Sequence, residues 1–121
     1  MANITESLQS ALAIDGAVAV ALVDYTTGMT LGTAGDAHSI NLEVAAAGNT
    51  EVVRAKMRTM EGLGINEKIE DILITLSGQY HLIRLVQGHE GLFLYLVLDK
   101  VRSNLALARF KLIDLEKDLT I

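Results

Sequence analysis

The chain has 121 residues, a formal net charge of -5, and no cysteine, proline or tryptophan. Half of its residues are hydrophobic, which excludes an intrinsically disordered chain, and its length fits one domain around one core. The negative charge argues against nucleic-acid binding through a broad basic surface, and the absence of cysteine excludes disulfides and thiolate metal sites.

The first third of the chain predicts a helix followed by two strands. Asn3 and Glu6 have capping-box spacing, and apolar residues at helical intervals predict a short helix that ends before residue 15. The segment GAVAVALVDY, residues 16–25, is apolar at both parities, so it should form a strand with both faces buried. After a turn, the glycine-rich segment MTLGTAG, residues 29–35, predicts an edge strand, because glycine weakens strand interiors.

A long second helix follows, with Ser39 or Asn41 as its N-cap, and it ends near residues 62–64. Three strands come next, at residues 69–76, 80–87 and 92–99, and their short glycine-bearing links are typical of antiparallel hairpins. Leucines and an alanine at helical spacing predict a final helix that begins near residues 103–104, and Ser103 is interpreted as its cap.

These elements predict an α+β fold in the order α-ββ-α-βββ-α, with a five-stranded antiparallel sheet, in a single domain of residues 1–121. The first and fifth strands are apolar on both faces, so they should be neighbours at the centre of the sheet. The fourth strand carries His81 and Arg84 and should be less deeply placed, and the third strand, with Thr75 and Ser77, should lie furthest out. The predicted strand order is therefore 2-1-5-4-3.

The second helix carries more apolar surface than one sheet can cover. A helix on a sheet usually buries a stripe of about 100°, whereas this helix has two stripes with Asn49 and Lys56 between them. The first stripe contains Leu42, Ala46, Val53, Met57 and Met60, the second contains Val44, Ala45, Gly48, Val52 and Ala55, and the solvated sector contains Glu43, Thr50, Glu51, Arg54, Arg58 and Glu61.

The second stripe predicts a helix of another molecule packed against this one, and an identical chain is the simplest partner. The third strand supports a dimer, because its long apolar edge would otherwise invite aggregation. The alternative is that the first or last helix of the same chain covers the second stripe, while Glu70 and Asp71 act as charged gatekeepers of the edge. The predicted dimer interface contains Val44, Ala45, Gly48, Asn49, Val52, Ala55, Lys56, Ile72, Ile74 and Leu76.

Three segments, GAVAVALVDYTTG, IEDILITLSGQYHLIRLV and LYLVLDKVRSNLALARFKLIDLE, together with the helix between them, resemble the Roadblock family of the dynein light chain type. The resemblance covers nearly the whole chain. It implies a three-layer sandwich with one helix on one face of the sheet and two on the other, and homodimers or heterodimers formed through the middle helix and third strand. It also implies a non-enzymatic adaptor, since prokaryotic members commonly partner Ras-like small GTPases and some regulate GTP hydrolysis or nucleotide exchange.

No catalytic or cofactor motif is evident. His38, His81 and His89 do not have the spacing of a metal motif, and the glycines form neither a dinucleotide-binding motif nor a P-loop, so we expect no metal, no cofactor and no catalytic residue. Arg102 and Arg109 flank the start of the last helix and are predicted to contact an acidic partner, unless they are ordinary surface charges.

The location and function follow from these patterns. Residues 1–10 are polar, unlike a signal peptide, and the longest aliphatic run is far shorter than the roughly 20 residues that span a bilayer, so we expect a cytoplasmic protein with no membrane insertion. The leading hypothesis is a homodimeric adaptor that binds a small GTPase. The alternative is a small-molecule sensory domain with a pocket between helix and sheet, and an enzyme ranks third.

Overall fold

The computed structural model describes residues 1–36 and 38–121, and it confirms the predicted order of helices and strands. In chain order the elements are α1 (Ile4–Leu12), β1 (Ala17–Asp24), β2 (Met29–Gly35), α2 (Leu42–Gly62), β3 (Asp71–Thr75), β4 (Gln79–Leu85), β5 (Leu92–Asp99) and α3 (Leu105–Asp118). Among these residues, no helix is both long enough and apolar enough to cross a bilayer.

The five strands form one antiparallel sheet in the order β2-β1-β5-β4-β3, as predicted. The two strands that are apolar on both faces, β1 and β5, are neighbours, with Val20 opposite Leu96 and Leu22 opposite Leu94. Because successive side chains of a strand point to opposite faces, each of these strands contributes to two separate cores. The sheet therefore needs helices on both sides.

The helices divide two to one between the faces of the sheet. α1 and α3 cover one face, where Leu8 and Leu112 pack with Leu22 and Leu96 of the central strands. α2 covers the other face, where Ala46 and Val53 pack with the alternate residues of β1 and β5. This arrangement is the three-layer sandwich that the family resemblance implied.

Asparagine caps all three helices. The Asn3 side chain accepts a hydrogen bond from the Glu6 N–H at 2.8 Å, and Glu6 returns the contact, so the predicted capping box is confirmed. Asn41, one of the two predicted candidates, caps α2.

The cap predicted for α3 was wrong, because Asn104 and not Ser103 accepts the hydrogen bond from the Leu107 N–H. Ser103 lies instead against Gly16, where an added Cβ would come within 2.7 Å of the Ser103 Cβ. Gly16 also has a φ of 82°, which favours glycine, so this close approach between two loops requires it.

A buried ion pair joins α3 to the sheet. Arg84 was one reason to expect that β4 is less deeply buried than β1 and β5. Its side chain is nevertheless buried, and its Nε donates a hydrogen bond to Glu116 Oε1 at 2.8 Å. The second carboxylate oxygen of Glu116 accepts from the Gln87 N–H at 3.2 Å. Two opposite charges therefore satisfy each other inside the layer between α3 and β4, which is how β4 accommodates an arginine.

We expect Glu116→Ala to lower the free energy of unfolding by about 3 kcal/mol, because it removes the carboxylate that hydrogen-bonds to the buried Arg84 and leaves only Asp71, whose Oδ2 lies 3.9 Å from Arg84 Nη1. Urea unfolding monitored by circular dichroism measures the change. The matched control is Asp114→Ala, which removes an exposed carboxylate from the same helix and should change stability little. Equal stability of the two variants would contradict the importance of the buried pair.

Candidate interaction surface

The first stripe of α2 faces the core as predicted. Leu42, Ala46 and Val53 are buried, and Met57 is half-buried against the same cluster. The placement of Thr50 in the solvated sector was wrong: its side chain is only 2% exposed, and its hydroxyl donates to the Ala46 carbonyl at 2.8 Å. Thr50 lies against the turn between β1 and β2, since a Cβ built on Gly28 would be 3.9 Å from the Thr50 hydroxyl oxygen.

The second stripe of α2 is left uncovered by the rest of the chain. Val44 is 67% exposed, and Gly48, Val52 and Ala55 are also exposed, while Ala45 is half-buried at the margin of the core. A Cβ built on Gly48 would have no neighbour within 4 Å. Since α1 and α3 lie on the opposite face of the sheet, the alternative that they cover this stripe is wrong.

Two side-chain contacts define which way the second stripe faces. Glu43 accepts a hydrogen bond from Thr30 of β2, so that side of α2 lies toward the β2 edge. On the other side the Asn49 side chain lies near the hydroxyl of Tyr95 of β5 and lowers the pKa of that group. The second stripe lies beyond Asn49 on the helix wheel, so it borders the half of the sheet that contains β4 and β3.

That half of the sheet is only partly covered on the α2 side, because α2 packs mainly on β1 and β2. Ile72 of β3 lies opposite Ile83, and Ile74 lies opposite His81, and all but Ile83 remain partly exposed. Leu76, just beyond the end of β3, is exposed. We call this surface the notch: its wall is the second stripe of α2, and its floor is the partly exposed α2-side face of β3 together with His81 of β4.

A polar network lies on the floor of the notch. The Tyr95 hydroxyl is 2.9 Å from His81 Nδ1, and His81 Nε2 is 2.9 Å from Gln79 Oε1. An amide oxygen can only accept, so Nε2 carries the proton and Tyr95 donates to Nδ1. Burial lowers the pKa of His81, and burial also raises the pKa of Tyr95, which the nearby Asn49 side chain partly opposes.

Of this network only Asn49 was among the predicted interface residues. His81 shares its parity with Ile83 and Leu85, and this alternation signals that the ring faces the same core as those residues. The contact with Tyr95, however, depends on the register of β4 against β5.

The two predicted partner-contact arginines lie elsewhere and differ in their surroundings. Arg109 binds Asp71 through two hydrogen bonds, from Nε at 2.6 Å and from Nη2 at 3.1 Å. Arg102 is more exposed, at 68% of its side chain, with its Nε 3.7 Å from Asp99 Oδ2. Asp71 is only 11% exposed and holds α3 beside β3, so it does not act as a solvated gatekeeper, whereas Glu70 is exposed.

The remaining chemical candidates are separate from the notch. His38 and His89 are exposed in loops, and within residues 1–36 and 38–121 no group of three or more histidine, aspartate or glutamate side chains could hold a metal ion. Two clefts of about 550 Å³ and 440 Å³ lie between α1 and α3 and at the end of α2, and both are open to solvent. A sensory domain would need an enclosed pocket instead.

Comparison with solved structures identifies the fold. No protein-family model matches the sequence, and no curated protein matches it. A Roadblock/LC7 domain from Streptomyces avermitilis superposes with a TM-score of 0.83 at 10% identity, over 97% of this chain and 94% of that one. This chain has the Roadblock fold.

Two MglB structures have the same Roadblock architecture. MglB from Myxococcus xanthus matches with a TM-score of 0.75 at 20% identity, over 93% of this chain and 84% of that chain. An MglB structure with a tetrameric arrangement matches with a TM-score of 0.81 at 17% identity, over 94% and 82% of the two chains. The fold implied by the sequence resemblance is therefore confirmed.

We expect stability to fall as the pH is lowered through and below about 6.5, the ordinary pKa of histidine. Because the folded state lowers the pKa of His81, the unfolded state binds a proton first, and protonation favours unfolding in this range. Urea midpoints measured on both sides of this pH should show the loss in the wild type and in a His89→Gln control. The loss of stability at low pH should be smaller in His81→Gln. An unchanged pH dependence of stability in that variant would contradict the attribution of this loss to His81.

Proposed function

We propose that this chain is a non-enzymatic dimeric adaptor that binds a Ras-like small GTPase and modulates its GTP hydrolysis or nucleotide exchange. The observation that supports the proposal is the notch, where an exposed apolar stripe of α2 borders the partly exposed edge of the sheet at β3. An exposed contiguous apolar surface is typical of a protein interface. The Roadblock fold supports the same function, since the resemblance in sequence implies that the chain forms a dimer and that the dimer binds a small GTPase.

The notch is suited to a second copy of the same chain. A two-fold axis beside α2 would place the same helix of each protomer against the other, and Gly48, Ala45 and Ala55 would allow the two backbones to approach closely. The outer edge of β3 is the last edge of the sheet on this side, so two copies of β3 can pair and extend the sheet across the dimer. Val44, Val52, Ile72, Ile74 and Leu76 would then be removed from water.

Gly48→Glu tests the dimer. In a lone chain the change should be harmless, since Gly48 lies inside an exposed helix face with free space around it and glutamate is a better helix former by roughly 1 kcal/mol. In the dimer it would place a charge between two packed helices. We expect light scattering to report a dimer for the wild type and a folded monomer for Gly48→Glu.

Ala47→Glu is the matched control, because it adds the same charge one residue away, on the exposed side of α2 outside both stripes. This variant should remain dimeric. A stable dimer in both variants, or a monomeric wild type, would refute the proposed interface.

The proposed mechanism toward the GTPase is surface complementarity without covalent chemistry. Arg102 is available for it, since its side chain is largely exposed and its nearest carboxylate is 3.7 Å away. Arg109 is less available, because Asp71 holds its guanidinium in a two-bond contact. An arginine that reaches the nucleotide of a partner can stabilise the charge of the transition state for GTP hydrolysis.

The GTPase part is tested by mixing the dimer with Ras-like GTPases encoded near its gene, each loaded with GDP or a non-hydrolysable GTP analogue. We expect one of them to bind with an affinity that depends on the nucleotide, measured by calorimetry. Arg102→Glu should weaken the complex about tenfold, whereas Lys111→Glu, an equal charge change on α3, should have little effect. A dimer that binds none of these GTPases in either state would contradict this part alone.

A further inference from the structure

A second surface lies at the carboxyl end of α2. Here the end of the helix, the linker of residues 63–70 and the hairpin between β4 and β5 enclose the cleft of about 440 Å³, which we call the hairpin cleft. Leu85, which belongs to the core under α2, is buried beneath it, and Met57 and Met60 form a half-buried wall. Val86 and Leu92 also line the cleft, but they pack in the core on the α1–α3 side of the sheet.

Backbone hydrogen bonds hold the walls of the hairpin cleft in place. The Leu85 N–H donates to the Glu70 carbonyl at 3.1 Å and so fixes the linker to β4. The Tyr25 N–H donates to the Gly91 carbonyl at 2.9 Å and so fixes the hairpin to the end of β1. A partner would therefore meet a preformed surface and lose little free energy in ordering it.

The rim of the hairpin cleft is acidic. Glu61, Glu67 and Glu90 line it, against a single basic residue, Lys68. In the part of the chain that the structure describes, no salt bridge involves any of these three glutamates. α2 also ends here without a basic residue in its last turn, so the negative end of its dipole adds to the same field.

We propose that the hairpin cleft binds a short basic segment of a partner protein, with one apolar side chain in the cleft and lysine or arginine side chains on its rim. The apolar floor supplies the anchor site, and flexible methionine side chains adapt to anchors of different shape. The rim charges attract a cationic segment and repel phosphate groups, which excludes nucleic acids and anionic lipid surfaces as occupants.

The hairpin cleft is distinct from the notch. Met57 and Met60 belong to the stripe of α2 that faces the core, whereas the notch uses the second stripe on another side of the helix. The inference therefore does not depend on the dimer or on the GTPase. A chain that is monomeric through Gly48→Glu should retain the binding activity of the cleft.

The test uses the full chain and a panel of short fluorescent peptides, each with one central Leu, Ile, Met or Phe between lysines. Control peptides replace either the anchor by serine or the lysines by glutamate. We expect at least one anchor peptide to raise fluorescence anisotropy saturably, with methyl NMR shifts at Met57, Met60 and Ile65, and both kinds of control to bind about tenfold more weakly.

The matched protein variants are Glu61→Lys combined with Glu90→Lys, which reverses the rim, and Glu51→Lys, which changes an exposed glutamate of α2 away from the cleft. The rim variant should lose peptide binding and the Glu51 variant should keep it. Failure of every anchor peptide, equal binding of the serine controls, NMR shifts confined to another surface, or unchanged binding by the rim variant would each overturn the proposal.

Discussion

The need to cover both faces of the sheet determines the rest of this structure. β1 and β5 are buried on both sides, so helices must pack on both. Two helices share one face, but α2 alone covers the other and packs mainly on β1 and β2. With only one helix on that face, β3 and His81 of β4 remain partly exposed, and no other helix covers the second stripe of α2. The notch is a consequence of this imbalance.

The sequence was sufficient for the order of the strands, because that order depends on local patterns. Apolar residues at both parities identified β1 and β5 as central, and the polar residues of the third segment placed it at the edge. Single polar residues before apolar helical patterns identified the cap Asn3 and restricted the second cap to Ser39 or Asn41. These signals act within a few residues, so no knowledge of the assembled fold is needed to interpret them.

The features that the sequence did not predict concern residues whose surroundings come from distant parts of the chain. Arg84 pairs with Glu116, 32 positions away, and Arg109 pairs with Asp71, 38 positions away, so neither ion pair could be inferred from local alternation. Thr50 lies at the boundary between the solvated sector and the core-facing stripe of α2, where a small rotation of the helix determines whether its side chain is exposed or buried. The network of His81 with Tyr95 likewise depends on the register of two strands, which no single segment encodes.

The two edges of the sheet are unequal. The pairing of β3 with β4 runs without interruption, whereas β2 shifts register against β1 next to Leu22 and contains Gly32 and Gly35. Irregular, glycine-bearing edges are poor templates for an incoming strand, and regular ones are good templates. A second copy that pairs at β3 by two-fold symmetry would cover the regular edge of both sheets. The remaining β2 edges are poor templates, so the assembly would stop at a dimer and not continue into a fibril.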